Sequence, residues 1–322
     1  MKNATVIRLG AIGDAVWTLP IIRELHNDGF TINVHCKQIA APIYKNNPYV
    51  SKLYAYPNET GTLVNVSVPH GSNVIDLDST IEGKYLTSTV PIGCVAHPLR
   101  FSLGCTECLN NKLCRKVNVN YVEEQLRVAG LGGRNPSTLG EIRVLPEDLK
   151  RVQNITDNWS NKFVVLWSLA TTAHKQYTGW FKLAQDFCRI HTDAIVYTMG
   201  SPECVIYEQE GPQIYTGHWT LDQSIALISR ANLTVGGETG PMNIASCFDT
   251  KKLLFLSHSS SENLSKHWTN TVSIQPQSAC HPCYQLHSTL RSCPTRQGQP
   301  ICTLDIKCNE LLSTLNYLKG LE

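Results

Sequence analysis

Three short segments of this chain set acidic, basic and hydroxyl side chains in loops that follow apolar runs, two of them at glycine turns. That pattern suits a site that holds phosphates and moves a proton. The first is Gly10-Ala-Ile-Gly-Asp14, directly after the apolar run at 5–9. A strand, a small-residue turn and a helix start make the phosphate-cradling edge of a doubly wound α/β sheet. The carboxylate of Asp14, however, would repel a diphosphate set directly on that helix. Gly10 and Gly13 therefore read as the frame for an acceptor, and Asp14 as a base that takes a hydroxyl proton. Aspartate is also a favoured helix cap, and the two roles do not exclude each other.

The second segment is 235–246, where Gly236-Gly237 ends a strand and Glu238, Thr239 and Gly240 lead into a helix with Pro241 in its first turn. The N–H groups of Thr239, Gly240 and Met242 are expected to be free. With the positive end of the helix dipole they suit a diphosphate, and Thr239 adds a hydroxyl. An ordinary strand-to-helix turn capped by threonine explains the same letters. The third segment, 167–175, gathers Ser168, Thr171, Thr172 and Lys175 after a strand. Lys175 would neutralise a departing diphosphate; a solvated loop lysine is the plain alternative. Gly200 and Glu203 follow the strand at 194–199, where a ribose or base rests in such folds, or form a surface turn. His258, in the serine run at 257–261, would line the donor end.

These loops need a scaffold of alternating strands and helices. Short apolar runs at 5–9, 31–36, 52–56 and 74–77 alternate with helical patterns at 14–25, 39–46 and 121–129. After a polar helix at 147–159 the pattern restarts, with strands at 163–167, 194–199, 233–236 and 253–256. Such alternation predicts parallel sheets covered by helices. A chain of 322 residues has room for two domains. It is 42% hydrophobic and 17% charged, an ordinary globular composition, and its net charge of +2 gives no case for bulk nucleic-acid binding. No apolar run is long enough to predict a transmembrane segment. Thirteen cysteines without an export signal predict a reducing, cytoplasmic location. Cys280, Cys283, His287 and Cys293, with Cys302 and Cys308 following, suit a structural zinc, with unligated thiols as the alternative. Cys105, Cys108 and Cys114 form a second group. Arg100, Lys112, Arg115 and Lys116 around it would meet an anionic acceptor or make a solvated basic loop.

Arg8-Leu-Gly-Ala-Ile-Gly-Asp14 with Leu19-Pro20, the loop ending at Lys175, Glu238-Thr-Gly-Pro241 and the Cys280-His-Pro-Cys283 cluster occur in an order that resembles the ADP-heptose:lipopolysaccharide heptosyltransferases. The resemblance covers nearly the whole chain. It implies a GT-B fold, two Rossmann-like domains facing a central cleft. Residues 1–155 would form the acceptor side and 156–322 the nucleotide-sugar side, with the last helix, 310–318, crossing back. It implies inverting glycosyl transfer that needs no cofactor for catalysis. Asp14 would be the general base, Lys175 would contact the donor phosphates, and the turn at 238–243 would hold diphosphate and sugar, with Glu238 on the sugar. The family usually has aspartate at the Glu238 position and histidine at the Asn243 position. The variant found here is similar to heptosyltransferase-like proteins of phages and prophages. The acceptor is then either a lipopolysaccharide core sugar or a hydroxylated base in DNA. Asp76, Asp78 and Glu82 read as strand-end residues of the acceptor domain, or as contacts to an acceptor hydroxyl. A reading of another class is a non-catalytic nucleotide-sugar or nucleic-acid binding protein stabilised by zinc, which would bind without turnover. A nicotinamide dehydrogenase fits poorly, because the first turn lacks the third glycine.

Overall fold

A computed structural model describes residues 2–58, 73–76, 90–91, 120–132, 137–172, 175, 177–201, 204, 210–283 and 300–320. The chain divides into two units, Met1–Arg143 and Val144–Glu322.

The first unit contains β1 (Lys2–Arg8), α1 (Ile12–Trp17), α2 (Leu19–Asn27), β2 (Phe30–Lys37), α3 (Ala41–Lys45), β3 (Val50–Tyr56), β4 (Asn73–Asp76), β5 (Val90–Pro91) and α4 (Tyr121–Val128). Its sheet runs β3-β2-β1-β4-β5, and the described pairs are parallel. From β1 the chain moves outward to β2 and β3, then returns to the other side of β1 at β4. The β1/β4 junction is therefore a topological switch point, where adjacent loops diverge and leave a crevice. The turn carrying Gly10 and Asp14 leaves β1 at that point. The helix expected to run on from Asp14 is two helices, parted at Thr18. The Thr18 hydroxyl turns back to the Ala15 carbonyl at 2.7 Å and meets the Tyr44 hydroxyl at 2.8 Å. Both helices still bury the expected apolar positions Val16, Leu19, Ile22 and Leu25.

One arginine fastens the end of this unit. Arg23 of α2 donates from Nη1 to the Leu139 carbonyl at 2.9 Å and from Nη2 to the Ser137 carbonyl at 2.6 Å. It also pairs with Glu141 at 3.1 Å, and Tyr49 donates to the same carboxylate at 3.1 Å. Hydrogen bonds to charged groups are each worth about 1.5–3 kcal/mol. Arg23→Ala is expected to lower stability by about 2 kcal/mol and to open the 137–143 segment to protease. Thermal denaturation and limited proteolysis check this; an unchanged midpoint and cleavage pattern would refute it.

The second unit contains α5 (Pro146–Lys150), α6 (Gln153–Thr156), β6 (Phe163–Ser168), α7 (Trp180–Ile190), β7 (Ala194–Met199), β8 (Ile214–Tyr215), α8 (Leu221–Ile228), β9 (Leu233–Gly236), α9 (Gly240–Ala245), β10 (Lys251–Phe255), β11 (Thr271–Ile274), α10 (Ile301–Leu304) and α11 (Cys308–Lys319). The sheet order is β11-β10-β9-β6-β7-β8, and its described strand pairs are parallel. β6 leads outward to β7 and β9 outward to β10, so β6/β9 is the switch point of this sheet. Every residue of β6 and of β7 is buried, as expected of central parallel strands. The single polar helix expected at 147–159 is α5, α6 and a 3₁₀ turn, Asp157–Trp159. α5 packs against α8 of the second unit, so the division falls earlier than residue 155. α11 packs on α7 and β10 of its own unit, burying Leu311, Leu315 and Leu318, and His191 meets Asn316 at 2.9 Å.

Lys252 of β10 is completely buried, and its Nζ donates to the carbonyls of Phe248 and Thr250. Burial pushes its ammonium down to about 8.

Candidate functional site

In the first unit Asp14 is the third residue of α1, and Ala11 occupies the N-cap position. Asp14 therefore caps the helix from within. Its Oδ2 accepts the Ala11 N–H at 2.8 Å, and its Oδ1 accepts Arg8 Nη2 at 2.8 Å. The carboxylate folds over Gly10: a Cβ there would stand 2.6 Å from Oδ2, so a larger residue would have to displace the Asp14 carboxylate. Gly13 is the second residue of α1. Two donors leave lone pairs on both carboxylate oxygens, and the side chain keeps 30% of its surface exposed. The group is oriented and still able to accept a hydroxyl proton. Arg8 opens the motif that carries the resemblance, but sequence assigns it no role, although a charge ending an apolar strand six residues before an acid is a usable signal for this pairing.

In the second unit the loops after β6 and β9 meet at the switch point. Ser168 Oγ and Thr239 Oγ1 are 2.7 Å apart. The Lys175 carbonyl lies directly against Gly237, leaving no room for a Cβ. The Lys175 N–H closes a turn on the Thr172 carbonyl at 3.0 Å. These contacts bring Ser168, Thr172, Lys175, Thr239 and Gly240 into one region. The expected set of free N–H groups is smaller by one. The Thr239 N–H donates to the Gly237 carbonyl at 2.8 Å, because the chain turns tightly before α9. The Gly240 and Met242 N–H groups have no backbone acceptor among the described residues. The Met242 side chain is fully buried, and Asn243 Nδ2 donates to the Thr239 carbonyl at 2.8 Å, bracing the same turn. Gly200 follows β7, close to Cys204 and Leu169.

Glu238, expected at the donor sugar, has its carboxylate turned inward, with 5% of the residue exposed. Oε1 accepts the Ser257 N–H at 3.0 Å, the Ser259 N–H at 3.1 Å and the Ser259 hydroxyl at 2.8 Å. Oε2 pairs with His258 Nδ1 and accepts the Ser257 hydroxyl at 3.4 Å. Burial alone would raise this carboxyl. The charge and hydrogen bond of His258, the charge of Lys175 and the Ser257 N–H outweigh it and hold Glu238 well below the usual carboxylate range. Sequence placed His258 near the donor end but gave no hint of its pairing, which joins loops some twenty residues apart.

Cys280 and Cys283 are half-buried. Between them His281 Nδ1 donates to the Ser257 carbonyl at 2.9 Å, and its Nε2 is buried with no partner among the described residues. Among the described residues no three His, Cys, Asp or Glu side chains gather as a metal group. Asp78, Glu82, Glu203, His287, Cys293, the group at Cys105, Cys108 and Cys114 and its flanking basic residues lie outside the described residues, and nothing is described of the Asp76 side chain.

The two parallel sheets and their switch-point loops define the GT-B class of fold. Solved structures share it over nearly all of this chain. A glycosyl transferase family 9 protein from Veillonella parvula is 14% identical, covers 98% of this chain and 97% of its own, and gives a TM-score of 0.73. ADP-heptose lps heptosyltransferase II of E. coli is 16% identical, covers 99% and 98%, with a TM-score of 0.64. TibC of enterotoxigenic E. coli, an iron-containing dodecameric glycosyltransferase, is 12% identical over 99% of this chain and 76% of its own, with a TM-score of 0.61. No family model and no curated protein sequence matches the chain. At such identities the likeness establishes the fold. The resemblance read from the motifs therefore holds in architecture, and among the described residues no helix is long and apolar enough to cross a membrane.

Proposed function

We propose that this protein is an inverting glycosyltransferase. It moves a sugar from a nucleoside diphosphate to an acceptor hydroxyl. The observation that carries this reading is the convergence of Lys175, Ser168 and Thr239 at the β6/β9 switch point. That region offers what a nucleoside diphosphate requires: a cation, two hydroxyls and the unengaged N–H groups of Gly240 and Met242. Asp14 takes the acceptor proton as the hydroxyl oxygen attacks the anomeric carbon. The bond to the diphosphate breaks on the opposite face, which inverts the configuration. Charge growing on the leaving diphosphate is met by Lys175 and the turn donors. Glu238 does not touch the sugar in this account; it holds the 257–259 loop. Gly200 and Glu203 are assigned to the nucleotide.

ADP-heptose is the first donor to test, because the chain shares its fold with proteins named for it. A lipopolysaccharide core sugar is the first acceptor, and the cysteine-rich composition suits a cytoplasmic setting. Catalysis needs no cofactor here. Cys280 and Cys283, completed by His287 and Cys293, are proposed to hold a structural zinc, which elemental analysis of the purified protein tests. For the donor site the test is thermal denaturation with ADP-heptose, UDP-sugars and GDP-sugars. A donor at 100 times its dissociation constant adds about 2.7 kcal/mol of stability. One donor class is expected to give that shift and Lys175→Ala to weaken it. No shift with any donor would overturn the site.

A further inference from the structure

Asp14 is held on both carboxylate oxygens, and a helix cap needs only one of them. Oδ2 accepts the Ala11 N–H at 2.8 Å, which satisfies one of the donors that a helix start leaves open. Oδ1 is engaged separately, by Arg8 Nη2 at 2.8 Å. One hydrogen bond leaves a carboxylate able to swing, because the torsion that turns its plane is broad. A second donor, on the other oxygen and from another element, fixes that plane.

Arg8 is itself a fixed point. It ends β1, the central strand of its sheet, where it lies opposite Cys36 in the parallel pairing with β2, and 8% of the residue is exposed. A guanidinium keeps its charge in proteins, and a charge-assisted hydrogen bond is stronger than a neutral one. The strand thus holds the side chain of an acid that stands in the following helix. As a stability device the pair is weak, because 30% of the Asp14 side chain is exposed and ion pairs open to water contribute little. What it supplies is direction. A base must stand within hydrogen-bond reach of the hydroxyl it deprotonates. A misplacement of about 1 Å can cost about a hundredfold in rate.

We propose that Arg8 is a positioning residue for the transfer reaction: through Oδ1 it fixes the plane of the Asp14 carboxylate and so aims the base at the acceptor hydroxyl. This rests on the reading of Asp14 as the base. Arg8 acts through Asp14 alone, so its contribution exists only while residue 14 can take a proton.

The test is a double-mutant cycle on the full chain. Rates at saturating donor are measured with ADP-heptose, UDP-sugars and GDP-sugars, against core-truncated lipopolysaccharide and against hydroxylated DNA. Arg8→Met keeps an apolar stem and removes the guanidinium. It is expected to lower the rate on the order of 10- to 100-fold and to leave donor affinity, measured by calorimetry, unchanged. Asp14→Asn still offers Arg8 an acceptor but cannot take the proton, and in that background Arg8→Met is expected to cost nothing further. A purely structural Arg8 predicts the same loss in both backgrounds. That result, a wild-type rate in Arg8→Met, or a loss confined to donor affinity overturns the proposal. Asp14→Asn alone separates the two levels of the reading. If it turns over like wild type, or if no donor turns over at all, the proposal falls together with the base. If Asp14→Asn is slow while Arg8→Met is not, only the role of Arg8 fails. Circular dichroism of each variant confirms folding, and a misfolded Arg8→Met is replaced by Arg8→Lys, which lacks the planar fork, in the same cycle.

Discussion

Asp14→Asn is expected to lower the transfer rate by about 10²–10⁴, the usual contribution of a positioned base, and to leave donor affinity unchanged. The separation follows from the architecture. Asp14 belongs to the first unit, at the β1/β4 switch point, and the residues proposed to hold the donor belong to the second. The substitution is nearly isosteric. An Asn side chain can still accept from Arg8, although the Ala11 N–H loses part of its partner. Stability should therefore change little, by about 1 kcal/mol for a weakened helix cap. Rates measured at saturating donor, beside donor affinities for both proteins, check this. Equal rates in the two proteins would remove Asp14 from the chemistry and leave it a capping residue.

Glu238→Ala is expected to have the largest effect on stability. It strips a buried imidazole and two serines of their common acceptor. Removing one partner of a buried ion pair costs about 3–5 kcal/mol. For a unit of this size that is roughly 10 °C in melting temperature. The pH dependence has a definite sign. The Glu238 carboxyl lies lower in the folded protein than in the unfolded chain. Its stabilisation is complete above the ordinary carboxylate range and is lost as pH falls through the folded value. The difference in melting temperature between wild type and Glu238→Ala should thus be full at neutral pH and shrink progressively once pH falls below the ordinary carboxylate range. A constant difference down to the lowest accessible pH, or a loss below about 1 kcal/mol at neutral pH, would contradict the buried pair.

The parts of this molecule written in local patterns were readable from sequence. Apolar runs marked β1, β6, β7 and β9, with glycine following all but β6, and their alternation with helical segments predicted parallel sheets. The segments of 10–14, 167–175 and 236–243 were recognisable because glycine, hydroxyl and charged residues cluster where strands end. Contacts between distant segments were not readable. Glu238 reads as a site residue because it follows two glycines, but its partners come from a loop beyond the next strand. The break at Thr18 depends on Tyr44, far along the chain. Lys252 interrupts an apolar strand and would be placed in solvent by its type. It is buried because a helix end and a turn supply two carbonyls to its ammonium. Helix length misled for a similar reason. The polar stretch at 147–159 carries a continuous helical pattern, yet Asp148 caps the Leu145 N–H and ties the first turn into a separate short helix.

The most direct measurement is turnover itself. The protein is incubated with ADP-heptose, and in parallel with UDP- and GDP-sugars, together with core-truncated lipopolysaccharide. Phosphorus NMR follows nucleoside diphosphate release and proton NMR the anomeric signal of the product. One donor is expected to release its nucleoside diphosphate in step with a product of inverted anomeric configuration, and Asp14→Asn to slow both by about 10²–10⁴. A product with retained configuration would contradict the single displacement. Tight donor binding with no release against lipopolysaccharide or hydroxylated DNA, identical in wild type and Asp14→Asn, would mark a binding protein instead.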